Sequence, residues 1–383
     1  MSGRDDFYRQ IRYLDAMLQS PNMFVSLDPS GEPQTIGDIQ ASKVYNDARE
    51  AVSRWLLKDD QHVAWSDVIG NERAKRELRE AIEAGVKHPD LYAHYGMKPP
   101  KGALLWGGPG NGKTMLAKAT ASALAELFGA KPEMISISGP ELENKYVGET
   151  EKYIRNIFQY ARLYAEKHKR PLVIFMDEAD SILMTRTGQW PWRDGVISQF
   201  LSEMDGLKPN GAFVILATNR PEAIDPAFLR PGRIDSMIRV ARPTQEECGE
   251  ILITLINKEA DKNVGWWAHS EFSVREVAEY IFDPAHLIEK IKGVSGAEYH
   301  FTLAHIISGA MVVNLLARAK QRAFRRDLEA RTMSGITFAD WKSAIDDLFE
   351  EQRQMAHDYA KEEFLTELAL PIEKRRLEGG TVQ

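Results

Sequence analysis

Uninterrupted apolar runs mark this chain at Ala103–Trp106, Leu172–Met176 and Ala212–Ala217. A strand with one wet face alternates apolar and polar residues. Runs without alternation, with β-branched members, predict strands buried on both faces of a parallel sheet. Met134–Ser138 fits a further strand. Helical patterning marks Phe7–Leu18, Val44–Leu57, the segment opened by Met115, and Met311–Lys320. Tyr299, His300 and Phe301 alternate poorly for a helix and suit a short strand or hairpin. The pattern predicts an α/β unit followed by a smaller helical unit, with a small N-terminal α(+β) region ahead of both. Four segments are expected: 1–60, with turn-rich Asp28–Pro33; 61–245; 246–345, starting after Pro243; and 346–383, a charged helix to about Leu370 and then a tail.

At 383 residues, two or three domains are expected. The 43% apolar content can build real cores. A net charge of −7 weighs against a mainly nucleic-acid-binding surface. The basic positions Arg318, Lys320, Arg322, Arg325 and Arg326 spread around a helix instead of forming one stripe, as on a solvated face. A single Cys248 leaves no internal disulfide and fits a reducing, cytoplasmic compartment. No stretch approaches the ~20 apolar residues of a membrane helix, so no membrane partner is expected.

The strand at Ala103–Trp106 runs into Gly107-Gly108-Pro109-Gly110-Asn111-Gly112-Lys113-Thr114, and Met115 continues into a helix. A strand, a glycine-rich turn and a helix start form the arrangement that cradles a triphosphate on converging backbone N–H groups. Lys113 would reach the β/γ-phosphates, and the Thr114 hydroxyl would hold Mg²⁺. The strand Leu172–Met176 ends in Asp177-Glu178-Ala179-Asp180. Paired carboxylates at the carboxyl edge of a buried strand are costly unless they serve a ligand. Asp177 is the natural Mg²⁺ partner, and Glu178 the natural base for the attacking water. Asp180 alone reads better as a helix-start acid. Asn219 follows the third strand at the same edge, placed to bond the γ-phosphate or the lytic water. Downstream, Arg230 and Arg233 lie among Pro231 and Gly232. Without context they would be surface ion-pair partners; beside a triphosphate, an arginine finger can raise the rate 10³–10⁵-fold.

In this order the segments resemble the AAA+ ATPases, and within them the AAA clade proper, over about residues 63–345. The resemblance implies a P-loop domain with a five-stranded parallel sheet, a helical small domain, ATP and Mg²⁺ as ligands, and a homohexameric ring. It makes Asn219 the sensor-1 residue, and Arg230 and Arg233 fingers acting on a neighbour's site. Val68 and Gly70, in Asp67–Gly70, would lie against the adenine. A Ser-Gly-Ala turn touching the nucleotide has two candidates, at Ser295 and Ser308. The second precedes the better-patterned helix, so Gly309 and Ala310 are chosen. With the extra stretch before that turn, the small domain most resembles that of the bacterial proteasome-activating ATPases.

Lys145-Tyr146-Val147, before Gly148, resembles the pore loop of AAA unfoldases, in which an aromatic ring grips an extended chain by packing. Trp190 and Trp192 flank Pro191 where many relatives carry a small polar loop. They would be a second gripping element, a partner site, or packing against the chain's own helices. The resemblance implies a ring motor that threads and remodels protein substrates by ATP hydrolysis. A nucleic-acid motor or loader, and a nucleotide-switched scaffold, are the alternatives. No H-E-x-x-H is present, the C-terminus lacks the penultimate tyrosine that docks a peptidase, and 1–60 is too short for a coiled coil with OB barrels. A stand-alone remodeller is therefore expected over a protease partner.

Overall fold

The computed structural model describes residues 24–27, 33–57, 63–142, 148–186, 191–207, 211–260, 266, 270–292, 298–355, 357, 359–366 and 368. An antiparallel ribbon, β1 (Phe24–Leu27) and β2 (Pro33–Thr35), leads into α1 (Ile36–Ala51). Next come α2 (Glu72–Lys87) and α3 (Pro89–His94), then β3 (Gly102–Trp106) and α4 (Lys113–Leu127). β4 (Met134–Ser138), α5 (Gly139–Leu142) and α6 (Glu149–His168) precede β5 (Leu172–Asp177). α7 (Pro191–Asp205), β6 (Ala212–Thr218) and β7 (Ser236–Arg239) complete the large unit.

The five strands β3 to β7 form one sheet in the order β4-β5-β6-β3-β7, parallel throughout. Unbroken apolar runs are explained by what covers the sheet. Leu172, Ile174 and Met176 enter one core with Phe158 and Phe200 of α6 and α7. Val173 and Phe175 enter the opposite core with Leu78 of α2 and Leu116 of α4. Successive side chains point to opposite faces, so a strand roofed on both sides has no place for a polar residue. Trp106 pairs with Thr218, and Ser138 with Asp177. The carboxyl ends are thereby level, and the loops after β3, β5 and β6 meet at one edge. β3 sits between β6 and β7, where the chain reverses its order across the sheet; such crevices bind ligands.

The expected boundary near residue 60 and the expected helix Val44–Leu57 need correction. α1 starts at Ile36 and stops at Ala51, and Ser53–Trp55 form a single 3₁₀ turn. Tyr45, Val52 and Trp55 are buried in the sheet's own core. Leu57 N–H donates to Met134 O at 2.9 Å, and Leu56 bridges Ile135 antiparallel. Residues 36–57 thus belong to the large unit and blunt the open edge of β4, which unpaired would invite foreign strands. Trp55 also meets Tyr153 edge to face, ring centroids 5.5 Å apart, under the Arg54 guanidinium. Trp55→Ala is expected to cost about 3–5 kcal/mol of stability. Chemical denaturation would read this; an unchanged midpoint would mean the segment is dispensable. The helix expected at Phe7–Leu18 lies outside the described residues.

The helical unit contains α8 (Gln245–Ala260), α9 (Val274–Ile281), β8 (Leu287–Lys292), β9 (Glu298–Thr302), α10 (Gly309–Ala330) and α11 (Phe338–Arg353). β8 and β9 form an antiparallel hairpin that contains Tyr299, His300 and Phe301. The expected division at 345/346 falls inside α11. Trp341, Ala344, Ile345 and Leu348 keep helical spacing across it and share one core with Leu315 and Ala360. The helix expected to about Leu370 is broken after Arg353; residues 359–366 form a separate helix folded back on the unit. Cys248 lies in this core, and burial pushes its thiol up to about 12.

Three of the five basic residues on α10 pair with α11, and Lys320 pairs with Glu259 of α8. Arg318 donates to both Glu351 oxygens at 2.7 Å, Arg322 pairs with Asp347, and Arg326 with Asp340. Cations so neutralised make a poor phosphate track. Trp192 of α7 is half-buried against the large core, with the Arg193 guanidinium 5.3 Å from its ring. Trp190 lies outside the described residues. No described helix is long and apolar enough to cross a membrane.

Candidate nucleotide site

The turn after β3 is shaped by glycine. Gly107 has φ +147°, and a Cβ there would stand 2.2 Å from Val240 O of the chain leaving β7. Gly110 has φ +73°, and its Cβ would stand 2.8 Å from the Ala310 methyl. Neither position tolerates a side chain. The chain then turns through Gly112, left-handed at φ +93°, into α4, whose first residues are Lys113 and Thr114.

Lys113 Nζ donates to Gly107 O at 2.8 Å, Gly108 O at 3.0 Å and Asn219 Oδ1 at 2.7 Å. Burial pulls its ammonium below the ordinary value, with Asp177 and Asp180 opposing. A desolvated cation beside neutral carbonyls is under-compensated, and phosphate oxygens would relieve it. Thr114 Oγ1 donates to Asp177 Oδ2 at 2.9 Å. This hydroxyl and this carboxylate, from α4 and β5, are hard oxygen donors side by side, the type that Mg²⁺ takes. They fit that ion.

Glu178 has φ +50° and ψ +43°, a left-handed conformation uncommon outside glycine, asparagine and aspartate. Its side chain is exposed, and its N–H donates to Asp177 Oδ1 at 3.0 Å. A non-glycine residue held there costs of order 1–3 kcal/mol and is found mostly where function needs the geometry. Thr218 Oγ1 donates to Asp180 Oδ1 at 2.6 Å and accepts from Arg220 N–H at 2.9 Å. Asp180 therefore anchors the end of β6 and the turn carrying Asn219, beyond a helix-start role.

The small unit completes the cleft. Ser308 caps α10, its Oγ accepting from Met311 N–H at 3.3 Å. Ala310 N–H donates to Gly110 O at 3.1 Å, so the Ser308-Gly309-Ala310 turn touches the phosphate loop. A cavity of about 480 Å³ lies between the units, within the size range of small-molecule sites. Pro109 to Met115, Asp177, Glu178 and Asn219 line one part of it. Val68, Ile69, Ile251, Leu255, Gly309, Ala310 and Val313 line another. Asn111 is buried; its Nδ2 reaches Val240 O at 3.5 Å and its Oδ1 has no partner among the described residues. Asp67 and Lys258 pair at 3.0 Å from opposite units at the cavity wall.

Two placements differ from expectation. Gly70 does not line the cavity; it is a turn glycine at φ +68° packed under the Glu247 carboxylate, and Ile69 lines the wall instead. The two arginines also part company. Arg233 donates to both Asp205 oxygens at 2.8 and 2.7 Å and to Ala227 O at 2.6 Å. This pairing raises its pKa and holds the Asp205 carboxyl below its ordinary value. Arg233 thus braces its own chain, because Asp205 at the end of α7 lies within reach. Arg230 is exposed and makes no side-chain bond among the described residues. Asp225 fixes its loop by accepting from Ala227 N–H at 2.8 Å.

Lys145, Tyr146 and Val147 lie outside the described residues. Their flanks are tied together: Thr150 Oγ1 at the start of α6 donates to Leu142 O of α5 at 2.7 Å. Sequence reasoning missed Ile251, Leu255, Lys258 and Val313. Nothing in the local pattern of Gln245–Ala260 or of Met311–Lys320 marks them, and only the packing of the small unit turns them toward the phosphate loop.

Residues 103–242 match the ATPase family associated with various cellular activities (AAA). The chain carries an AAA ATPase domain. Among its relatives is an "AAA ATPase forming ring-shaped complexes" of Corynebacterium urealyticum, 38% identical over 324 residues, covering 78% of this chain and 60% of the relative. Proteins of the same description from Corynebacterium kroppenstedtii (35% over 370 residues, 91% and 62%) and Bifidobacterium dentium (38% over 309 residues, 79% and 58%) are also similar. The chain spans about three fifths of these relatives' length.

Proposed function

We propose that this chain hydrolyses ATP as a subunit of a homo-oligomeric, hexameric ring and uses the energy to thread and remodel protein substrates. The observation that carries the proposal is the bonded set Lys113–Asn219 and Thr114–Asp177, with Glu178 held beside it. Three segments distant in sequence converge on one triphosphate-sized site. Lys113 and the loop N–H groups bind the phosphates; Val68, Gly309 and Ala310 flank the nucleoside. Thr114 and Asp177 would hold Mg²⁺, which would supply positive charge to the phosphates. Asn219 orients the attacking water, and Glu178 takes its proton as the water oxygen bonds to the γ-phosphorus. The bond to the β-phosphate oxygen breaks, and ADP leaves with the electron pair. Arg230 reaches the γ-phosphate of the neighbouring subunit. A finger acting on a neighbour requires head-to-tail contacts, which form a ring where the rotation between subunits closes. The relatives' ring-shaped complexes support this assembly.

Threading is assigned to Tyr146, between anchored flanks. ATPase rates measured alone, with a permanently unfolded protein and with single-stranded DNA test it. Stimulation by the unfolded protein, abolished in Tyr146→Ala with the basal rate retained, is the expected result. Stimulation by DNA alone would overturn it.

A further inference from the structure

The phosphate loop rests on the chain that leaves β7. Gly107 packs on Val240 O, and Asn111 Nδ2 reaches the same oxygen. Gly108 packs on Arg242: a Cβ there would stand 2.9 Å from Nη2 and 3.2 Å from Cζ. Val240 O is backbone, placed by the sheet. Arg242 supports the loop with a long side chain, which many rotamers could carry elsewhere. Its place under Gly108 has to be set by partners.

Those partners come from the small unit. Arg242 Nη1 donates to Ile306 O at 2.7 Å, and Nε donates to Glu363 Oε2 at 3.2 Å. Glu363 stands on the helix of residues 359–366. One side of that helix is fixed to the small unit. Ala360 enters its core, Phe364 meets the His305 ring with centroids 4.5 Å apart, and Lys361 pairs with Glu289 of β8. Glu363 reaches the large unit instead, where its Oε1 also accepts from Arg239 of β7 at 2.7 Å. The Arg242 and Glu363 side chains are only 15% and 11% exposed. A charge-assisted bond so shielded fixes geometry, and removing one partner leaves the other charge uncompensated. Neither residue lines the nucleotide cavity. Their charges still reach it: after burial and the nearby carboxylates, Arg242 lowers and Glu363 raises the pKa of the Lys113 ammonium.

We propose that Glu363 is a positioning residue for the nucleotide site: it holds the Arg242 guanidinium under Gly108 and so sets the phosphate loop for the triphosphate. This goes beyond the ATP-site reading above and rests on it. Nucleotide binding and docking of the helix of residues 359–366 are then coupled, and by linkage each strengthens the other.

The test measures the Kd for a fluorescent ADP analogue and the KM for ATP in the full chain. Glu363→Gln keeps the shape and removes the charge. Both constants are expected to rise about 10-fold, the factor that one charge-assisted bond supplies, with the loss falling on KM more than on kcat. Arg242→Ala should weaken binding at least as much. The double variant should be no weaker than Arg242→Ala alone, because Glu363 acts through Arg242. Glu289→Ala is the control for a merely structural role. It frees Lys361 on the same helix without touching Arg242, and should leave Kd unchanged whatever it does to the melting temperature. Unchanged affinity in Glu363→Gln, losses that add in the double variant, or an equal loss in Glu289→Ala would overturn the positioning role while the nucleotide site stands. A wild-type protein that binds no nucleotide would overturn both.

Discussion

Replacing Glu178 by glutamine is expected to slow ATP turnover by about 10²–10⁴-fold, the usual contribution of a positioned general base. Glutamine keeps the size and the hydrogen-bond acceptor but cannot take the water's proton. The backbone at φ +50° already accommodates a long side chain, so the substitution adds no new strain. Lys113 bonds to Gly107 O and Asn219, Thr114 bonds to Asp177, and none of them bonds the Glu178 carboxylate among the described residues. Nucleotide affinity should therefore stay near wild type, and the loss should fall on kcat. Asp177→Asn differs, because it removes a metal-facing charge and should raise the Mg²⁺ requirement. Single-turnover hydrolysis beside fluorescent-nucleotide binding separates the two. A Glu178→Gln protein that turns over at the wild-type rate would remove Glu178 from the chemistry.

Replacing Arg230 by alanine is expected to lower turnover by about 10³-fold or more, within the range of arginine fingers. Its side chain is exposed and makes no bond among the described residues, so folding stability should not change. Arg233→Ala should do the reverse. It strips Asp205 and Ala227 O of a shared guanidinium partner, and bonds to charged groups are worth about 1.5–3 kcal/mol each at most. Its first effect should be a lower unfolding midpoint. Mixing identifies the finger. Arg230→Ala chains keep Glu178, and Glu178→Gln chains keep Arg230, so mixed rings contain sites with both. Activity that appears only on mixing the two dead proteins is the expected result. No recovery, with mixed assembly confirmed by mass, would place Arg230 outside the neighbour's site.

The phosphate loop was legible because its chemistry is local. Glycines that must adopt positive φ, a preceding apolar run and a following helix occupy one continuous segment, Ala103 to Ala119. The Asp177-Glu178 edge was legible for the same reason, since an unbroken apolar run predicts a strand and its end predicts an edge. The choice of Ser308 over Ser295 also rested on local helix patterning, and the structure sets Ala310 against Gly110.

What stayed hidden depends on distance along the chain. Lys113 meets Asn219 across 106 positions, and nothing in either segment specifies that their strands are neighbours. Arg230 and Arg233 are the same residue type in one loop, and only the proximity of Asp205 makes one a brace and leaves the other free. Tyr45, Val52 and Trp55 spell an amphipathic stripe, but a stripe does not name its cover; the sheet core does. Leu328 and Tyr95 could have been core residues by composition, and packing left them outside. By itself, then, the sequence determined four of the five sheet strands, the phosphate loop and the acidic edge, because backbone conformation and hydrophobic period are short-range properties; β7 at Ser236–Arg239 was not among them. Tertiary structure alone decided which helix walls the nucleotide, which arginine is free and which apolar faces remain uncovered, because burial and ion pairing depend on residues brought together only by the fold.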